Sequence, residues 1–184
     1  SPLTAHAWSY GSDTNKLALG TNNCGFKLID ISLMHADKTQ NCVFFHKTQA
    51  HQAPITFICN CPLFPSLWAS TSIDGVINIW DERYSAEPLE TFYSQTASPI
   101  TSLQWSTSHV DWLHVGTASG TVLLYNLRLK PSFLSQTAHV TQHSMCTVTP
   151  SKSLPLSAMT ADDHGNVGFI HYKPEFVDKF VWGG

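Results

Sequence analysis

Apolar residues recur along this chain in short runs of about five or six, alternating with polar residues or bounded by polar turn residues. No stretch of ten or more carries a 3.6-residue apolar period, so the pattern predicts strands and little helix. Four segments share one design: a β-rich run, a tight polar turn ending in Gly, and a second β-rich run. They span residues 17–31, 67–81, 113–126 and 156–171. Their turn glycines are Gly25, Gly75, Gly120 and Gly165, spaced 50, 45 and 45 residues apart. Gly suits each place because a two-residue hairpin turn demands positive φ. Further strands are expected upstream of each hairpin (3–8, 54–60, 99–105, 143–148) and downstream (42–46, 89–93, 133–137, 175–180). That makes about four strands per repeat and roughly sixteen in all.

Four-stranded units at this period are the mark of β-propeller blades. The expected blades are 1–47, 48–94, 95–138 and 139–184. The second carries Ala50-His51 and then Ser72-Ile-Asp-Gly-Val-Ile-Asn-Ile-Trp-Asp81, which resembles the core of a WD repeat, with Ala in place of the usual Gly before His. The resemblance implies a hydrogen-bonded chain of His51, Ser72, Asp74 and Trp80 inside the blade. Such a chain makes physical sense, because a buried indole N–H and imidazole need partners. The other repeats depart from the pattern. Tyr125 stands in the Trp slot of the third, with Thr117 and Ser119 in the Ser and Asp slots; Ile170 and His164 hold the Trp and Asp slots of the fourth. The first places Asp30 in the Trp slot and Cys24 in the turn Asp slot.

WD-repeat rings usually close with about seven blades. The fold expected is therefore all-β, about four four-stranded blades of a larger ring. Left open, such a ring has two unpaired blade faces and edges, and the chain alone should be insoluble or oligomeric. The absence of an initiator Met fits a fragment or a processed chain.

Composition narrows the chemistry. Charged residues are only 12%, net charge is −3 and Lys plus Arg total 10. That argues against direct nucleic-acid binding through bulk positive charge, while leaving room for a DNA-associated complex. Five irregularly spaced cysteines suit reduced thiols in an intracellular compartment. No apolar run is long enough to span a bilayer and no signal peptide is visible, so no membrane is expected.

Ten histidines require a metal site to be weighed. His46, His51, Cys59 and Cys61 lie close in sequence, but C-x-C is tighter than zinc spacing and His51 is already assigned, so no metal is expected. The cluster Asp162-Asp163-His164-Gly165 reads as a hairpin turn rather than an acid–base pair. No nucleophile elbow or phosphate loop appears, so neither enzymatic activity nor a cofactor nor a small-molecule substrate is expected. Trp68, Trp105, Trp112 and Tyr93 sit near strand ends, where a propeller presents its binding faces; exposed aromatics there would be interaction hot spots.

Trp80-Asp81-Glu82-Arg83 resembles the W-D-x-R pattern seen in propellers that serve as substrate receptors of cullin–RING ubiquitin ligases, with Tyr125-Asn126-Leu127-Arg128 as a looser echo. By that resemblance Arg83 and Arg128 would contact an adaptor subunit. The leading expectation is a non-catalytic scaffold binding other protein subunits of a multiprotein assembly. Its finer form is a nuclear transcription or chromatin complex such as transcription factor IIIC, favoring the nucleus over the cytoplasm; no motif carries that finer step. The ligase receptor is the second reading.

Overall fold

A computed structural model of the chain describes residues 1–11, 15–34, 42–84, 87–94, 96, 98–128, 134–154 and 157–172. Fifteen strands form among them: β1 (Leu3–Trp8), β2 (Lys16–Thr21), β3 (Phe26–Asp30), β4 (Val43–Lys47), β5 (Ile55–Asn60), β6 (Leu67–Ser72), β7 (Val76–Asp81), β8 (Glu90–Tyr93), β9 (Ile100–Trp105), β10 (Trp112–Thr117), β11 (Thr121–Asn126), β12 (Leu134–His139), β13 (Met145–Pro150), β14 (Ser157–Asp162) and β15 (Val167–His171). The strand expected at 175–180 lies outside the described residues. One 3-10 turn, Ile31–Leu33, is the helical piece among the described residues. Among the described residues no helix is long and apolar enough to cross a membrane.

The strands assemble into four antiparallel sheets, β1–β4, β5–β8, β9–β12 and β13–β15, each joining strands in sequence order. This is the meander of a propeller blade. The first two sheets form one compact unit, Ser1–Ile100, and the other two a second, Thr101–Gly184.

Strand alternation decides what each unit buries. In the first, Ala18, Phe26, Leu28 and Phe45 project from the first sheet onto Ile55, Ile58, Trp68 and Trp80 of the second. Phe26 stacks on Trp80 with ring centroids 4.9 Å apart, and Phe45 meets both rings edge-on. In the second unit Trp112, Val122 and Leu124 meet Met145, Val148, Ala158, Ile170 and Tyr172. Each such fully buried side chain contributes about 1.5–3 kcal/mol.

The hairpin turns differ from the expectation in length and, once, in register. Between β6 and β7 the loop has three residues, Ile73, Asp74 and Gly75; Gly75 N–H donates to Ser72 C=O and Gly75 takes φ 75°. A three-residue loop of this kind is a type I turn followed by a left-handed residue. Gly120 and Gly165 take the same role, with φ 74° and 81°. In the first sheet that role falls to Cys24, at φ 62°, and not to Gly25. Cys24 N–H donates to Thr21 C=O as Gly75 N–H does to Ser72. The slots of the first repeat therefore move by one. Ile29 faces Leu17 as Trp80 faces Trp68, so Ile29, not Asp30, holds the Trp slot, and Asp30 aligns with Asp81. Asn23, not Cys24, matches Asp74.

Candidate functional site

The first unit has two loop ends with distinct chemistry. At one end stand the turn between β6 and β7 and the segment entering β5; at the other, the loop after β7 carries Arg83.

At the turn end, Ser70 on β6 ties the interior of the second sheet together. His51 Nε2 lies 2.8 Å from Ser70 Oγ, and Trp80 Nε1 donates to the same oxygen at 2.8 Å. The hydroxyl in this chain is thus Ser70, not Ser72. Both side chains point to one face of β6, but Ser70, opposite Asn78, is the one on the diagonal to Trp80 and within reach of His51. Ser72 instead donates to Ala53 C=O and accepts from Asp74 N–H. Asn78, opposite Ser70, donates to Ala50 C=O and accepts from Thr91 Oγ1. Sequence reasoning missed Asn78, although its place two residues before Trp80 puts it on the same face.

Asp74 shapes the turn. Its carboxylate accepts from Val76 N–H at 2.8 Å and Gln52 N–H at 2.9 Å. His51 Nδ1 lies 3.6 Å from Asp74 Oδ2, too long for a hydrogen bond but close enough for attraction. Burial lowers the pKa of His51 below its ordinary value, and Asp74 opposes that shift without reversing it. A cavity of about 650 Å³ opens beside these groups, lined among others by Cys24, Lys47, His51, Asp74, Glu87 and Tyr93. Lys47 and Glu87 form an ion pair at its rim. Tyr93 is 68% exposed there, so of the four strand-end aromatics it alone is solvent-facing.

The other three are buried. Trp68 is fully enclosed and donates Nε1–H to Glu82 at 3.2 Å. Trp105 donates to Val110 C=O at 2.6 Å, and Trp112 stacks on His109 with centroids 4.0 Å apart. Each lies at a strand end but on a face turned inward, so the expectation that they form a partner-binding surface is corrected: they are packing residues.

At the opposite end, Asp81 is 3% exposed and accepts three hydrogen bonds from Arg83: from backbone N–H at 3.1 Å, Nε at 2.9 Å and Nη2 at 2.6 Å. The hydrogen bond from the Arg83 side chain holds the Asp81 carboxyl below the usual carboxylate range, with burial opposing it. The Arg83 side chain remains 51% exposed, and its guanidinium carbon lies 4.9 Å from the Phe64 ring centroid and 5.5 Å from that of Tyr84. Both aromatic residues are exposed. Beside them Lys16 pairs with Glu82 at 2.5 Å and lies 5.7 Å from the centroid of exposed Phe44. The result is a surface strip of alternating aromatic and charged groups, of which sequence reading found only Arg83. Phe64 and Tyr84 lie in loops whose pairing the sequence pattern does not encode.

In the second unit Arg128 pairs with Asp111 at 2.5 Å and is 72% exposed. Its backbone N–H donates to Asn126 Oδ1 at 3.0 Å, as Arg83 N–H does to Asp81. No aromatic contact of the kind made by Arg83 accompanies it among the described residues. His46, His51, Cys59 and Cys61 do not gather into a metal-ligand cluster; the described residues hold one such group, elsewhere, at His143, Asp163 and His164.

No protein-family profile matches the chain. A 107-residue stretch, 57% of this chain, is 28% identical to Component of gems protein 5 from Dictyostelium discoideum, a WD-repeat protein. The match covers 8% of that relative's length. The crystal structure of the computationally designed Ika4 protein matches with a TM-score of 0.71 at 17% identity, covering 94% of this chain and 92% of that one. The likeness in sequence gives support for a WD-repeat chain, and the likeness in structure concerns the fold alone.

Proposed function

We propose that the chain is a non-catalytic protein-interaction scaffold, part of a multiprotein assembly, and that the Arg83 strip is its docking face. The observation that carries this reading is the pre-set guanidinium: Asp81 grips it by Nε and Nη2, two exposed aromatic rings flank it, and the side chain that bears it is half exposed. Fixing a long side chain in advance reduces the entropy lost on binding. Arg with exposed aromatic neighbours is also the composition of interaction hot spots. Supporting the general role, the WD-repeat relative is named as a component of gems, itself an assembly member.

The test is affinity purification of the full-length protein from native extract, comparing wild type with Arg83→Glu and Phe64→Ala by quantitative mass spectrometry. Stoichiometric partners that fall at least tenfold in both variants, with the circular dichroism spectrum unchanged, support the docking face. Partners that persist in both variants reject it. The ligase-receptor reading is favoured only by the half-exposed Arg of the W-D-x-R segment. It requires that a cullin adaptor be among the chains lost with Arg83→Glu.

A further inference from the structure

The loop entering β13 and the turn between β14 and β15 bring two imidazoles and a carboxylate together. We propose that His143, Asp163 and His164 form a binding site for a borderline divalent cation, zinc(II) in the first instance, with nickel(II) or copper(II) as alternative occupants. One ligand atom from each of the three lies within 4.8 Å of the others. The His143 and His164 rings stack with centroids 3.6 Å apart, and Asp163 Oδ1 is 2.9 Å from His164 Nδ1.

What makes this a built site is the backbone beneath it. Thr141 Oγ1 donates to Asp162 Oδ2 at 2.7 Å and accepts His143 N–H at 3.2 Å. Asp162 Oδ1 accepts His164 N–H at 3.0 Å and Asn166 N–H at 2.8 Å. Asp163 N–H donates to Ser144 C=O at 3.0 Å. The two segments that carry the three ligands are therefore cross-linked through one buried carboxylate, and the ligands are not simply neighbours on a loose surface. A supporting shell of this sort fixes the positions from which first ligands reach a metal.

The donor set selects the cation. Two imidazole nitrogens and one carboxylate oxygen suit zinc and its borderline neighbours, whereas calcium and magnesium take oxygen ligands. Zinc bonds of about 2.0–2.2 Å place tetrahedral ligand atoms roughly 3.3 Å apart. The Asp163 and His164 atoms at 2.9 Å are already near that spacing, any wider pair has to close from at most 4.8 Å, and the two rings have to turn from stacked to convergent. His164 and Asp163 are exposed, so rotation about their side-chain bonds meets little packing. Three protein ligands leave a fourth position for water or for a side chain of a bound partner.

The experiment uses the full-length protein, stripped with EDTA and desalted, titrated with zinc chloride by calorimetry and with cobalt(II) chloride by visible absorption. One equivalent of zinc saturating at micromolar concentration is expected, together with a tetrahedral cobalt band. His143→Gln and His164→Gln should each weaken binding at least tenfold, and Asp163→Asn by a smaller factor. Urea midpoints of the metal-free variants should match wild type, which separates ligand loss from misfolding; if one variant does not fold, the other two still decide. Zinc binding that survives the His143→Gln/His164→Gln double variant overturns the proposal, as does no binding at millimolar zinc.

Discussion

Ser70 carries more of the second sheet's polar interior than any residue the motif itself names. It meets two buried nitrogens with one hydroxyl, so its loss strands the Trp80 indole N–H and leaves His51 Nε2 with only the long 3.4 Å contact to Asn78 Nδ2. A buried polar group left without a partner costs about 1–3 kcal/mol. Ser70→Ala should therefore destabilise by roughly 2–4 kcal/mol, whereas Ser72→Ala, which loses bonds at a turn, should cost about 1 kcal/mol. Urea unfolding followed by tryptophan fluorescence checks both; equal losses would mean that Ser70 is not the hub. The residue types of this network were legible because His, Asp and Trp fall at motif positions. Which serine joins them was not, since Ser70 and Ser72 share a face and only the register with Trp80 separates them. A second buried histidine lies outside any motif. His114 is fully buried, with Nδ1 2.9 Å from Tyr172 Oη, and burial pushes its pKa down to about 4. The unfolded chain binds a proton near pH 6.5 while the folded one resists it. The stability is therefore complete above pH 6.5 and falls as pH drops from 6.5 toward 4. The full loss is about 3 kcal/mol at 1.36 kcal/mol per unit. His114→Phe should flatten that slope, and a slope unchanged in urea titrations at pH 7.5 and 5 would assign it to other groups.

At the scale of strands and turns, aligning the hairpins by their left-handed residue places Gly20, Thr71, Gly116 and Ala161 in one slot, four residues before the turn residue. The two glycines occur where a sheet is approached by the first strand of the next. A Cβ on Gly20 would sit 2.7 Å from Ile55 Cγ2 on β5, and one on Gly116 2.9 Å from Met145 Cβ on β13. Ile55 and Met145 are buried core residues, so neither can move aside freely. Gly20→Ala and Gly116→Ala should each cost about 1–3 kcal/mol through overpacking. Gly75→Ala meets no atom within 4 Å and should cost only about 1 kcal/mol through its positive φ. Chemical denaturation of the three variants gives the order, and a Gly75 variant worse than both others would contradict it. The hairpins and their period were legible because alternation and Gly mark them. The register of the first turn was not: Asn22-Asn-Cys-Gly25 offers a glycine, yet the left-handed position falls one residue earlier, on Cys24. The extra residue before β3 is invisible to a pattern that keys on Gly. Cys24→Gly removes an L side chain from that region, which costs about 1–2 kcal/mol, against the entropy glycine adds to the unfolded chain, about 0.5–1 kcal/mol. A small net gain in the urea midpoint is expected; a loss would show that the thiol has a packing role.

At the scale of the whole molecule, the two sheets of each unit bury apolar faces against each other, while among the described residues the last sheet also shows an apolar face to solvent. Met159 on β14 and Phe169 on β15 are direct cross-strand partners, and both are more than half exposed; Val167 joins them two residues along the strand. Alternation puts Val148, Ala158 and Ile170 on the covered side of that sheet and these three on the other. Large apolar side chains grouped on one sheet face are the mark of a surface that another element covers. Four blades of a larger ring would present such a face at each end. A face of this kind is as available to a second molecule as to a further blade, and a heterologous contact of that sort does not close on itself. The 184-residue chain expressed alone should therefore elute as oligomers whose size rises with concentration. Met159→Thr with Phe169→Thr keeps strand-compatible residues while removing the apolar contact, and should shift the population toward monomer without changing the circular dichroism spectrum. Size-exclusion chromatography with light scattering reads both. A wild-type chain that stays monomeric over a hundredfold range of concentration would mean that this face is tolerated in water, and that association is not what the exposed residues provide.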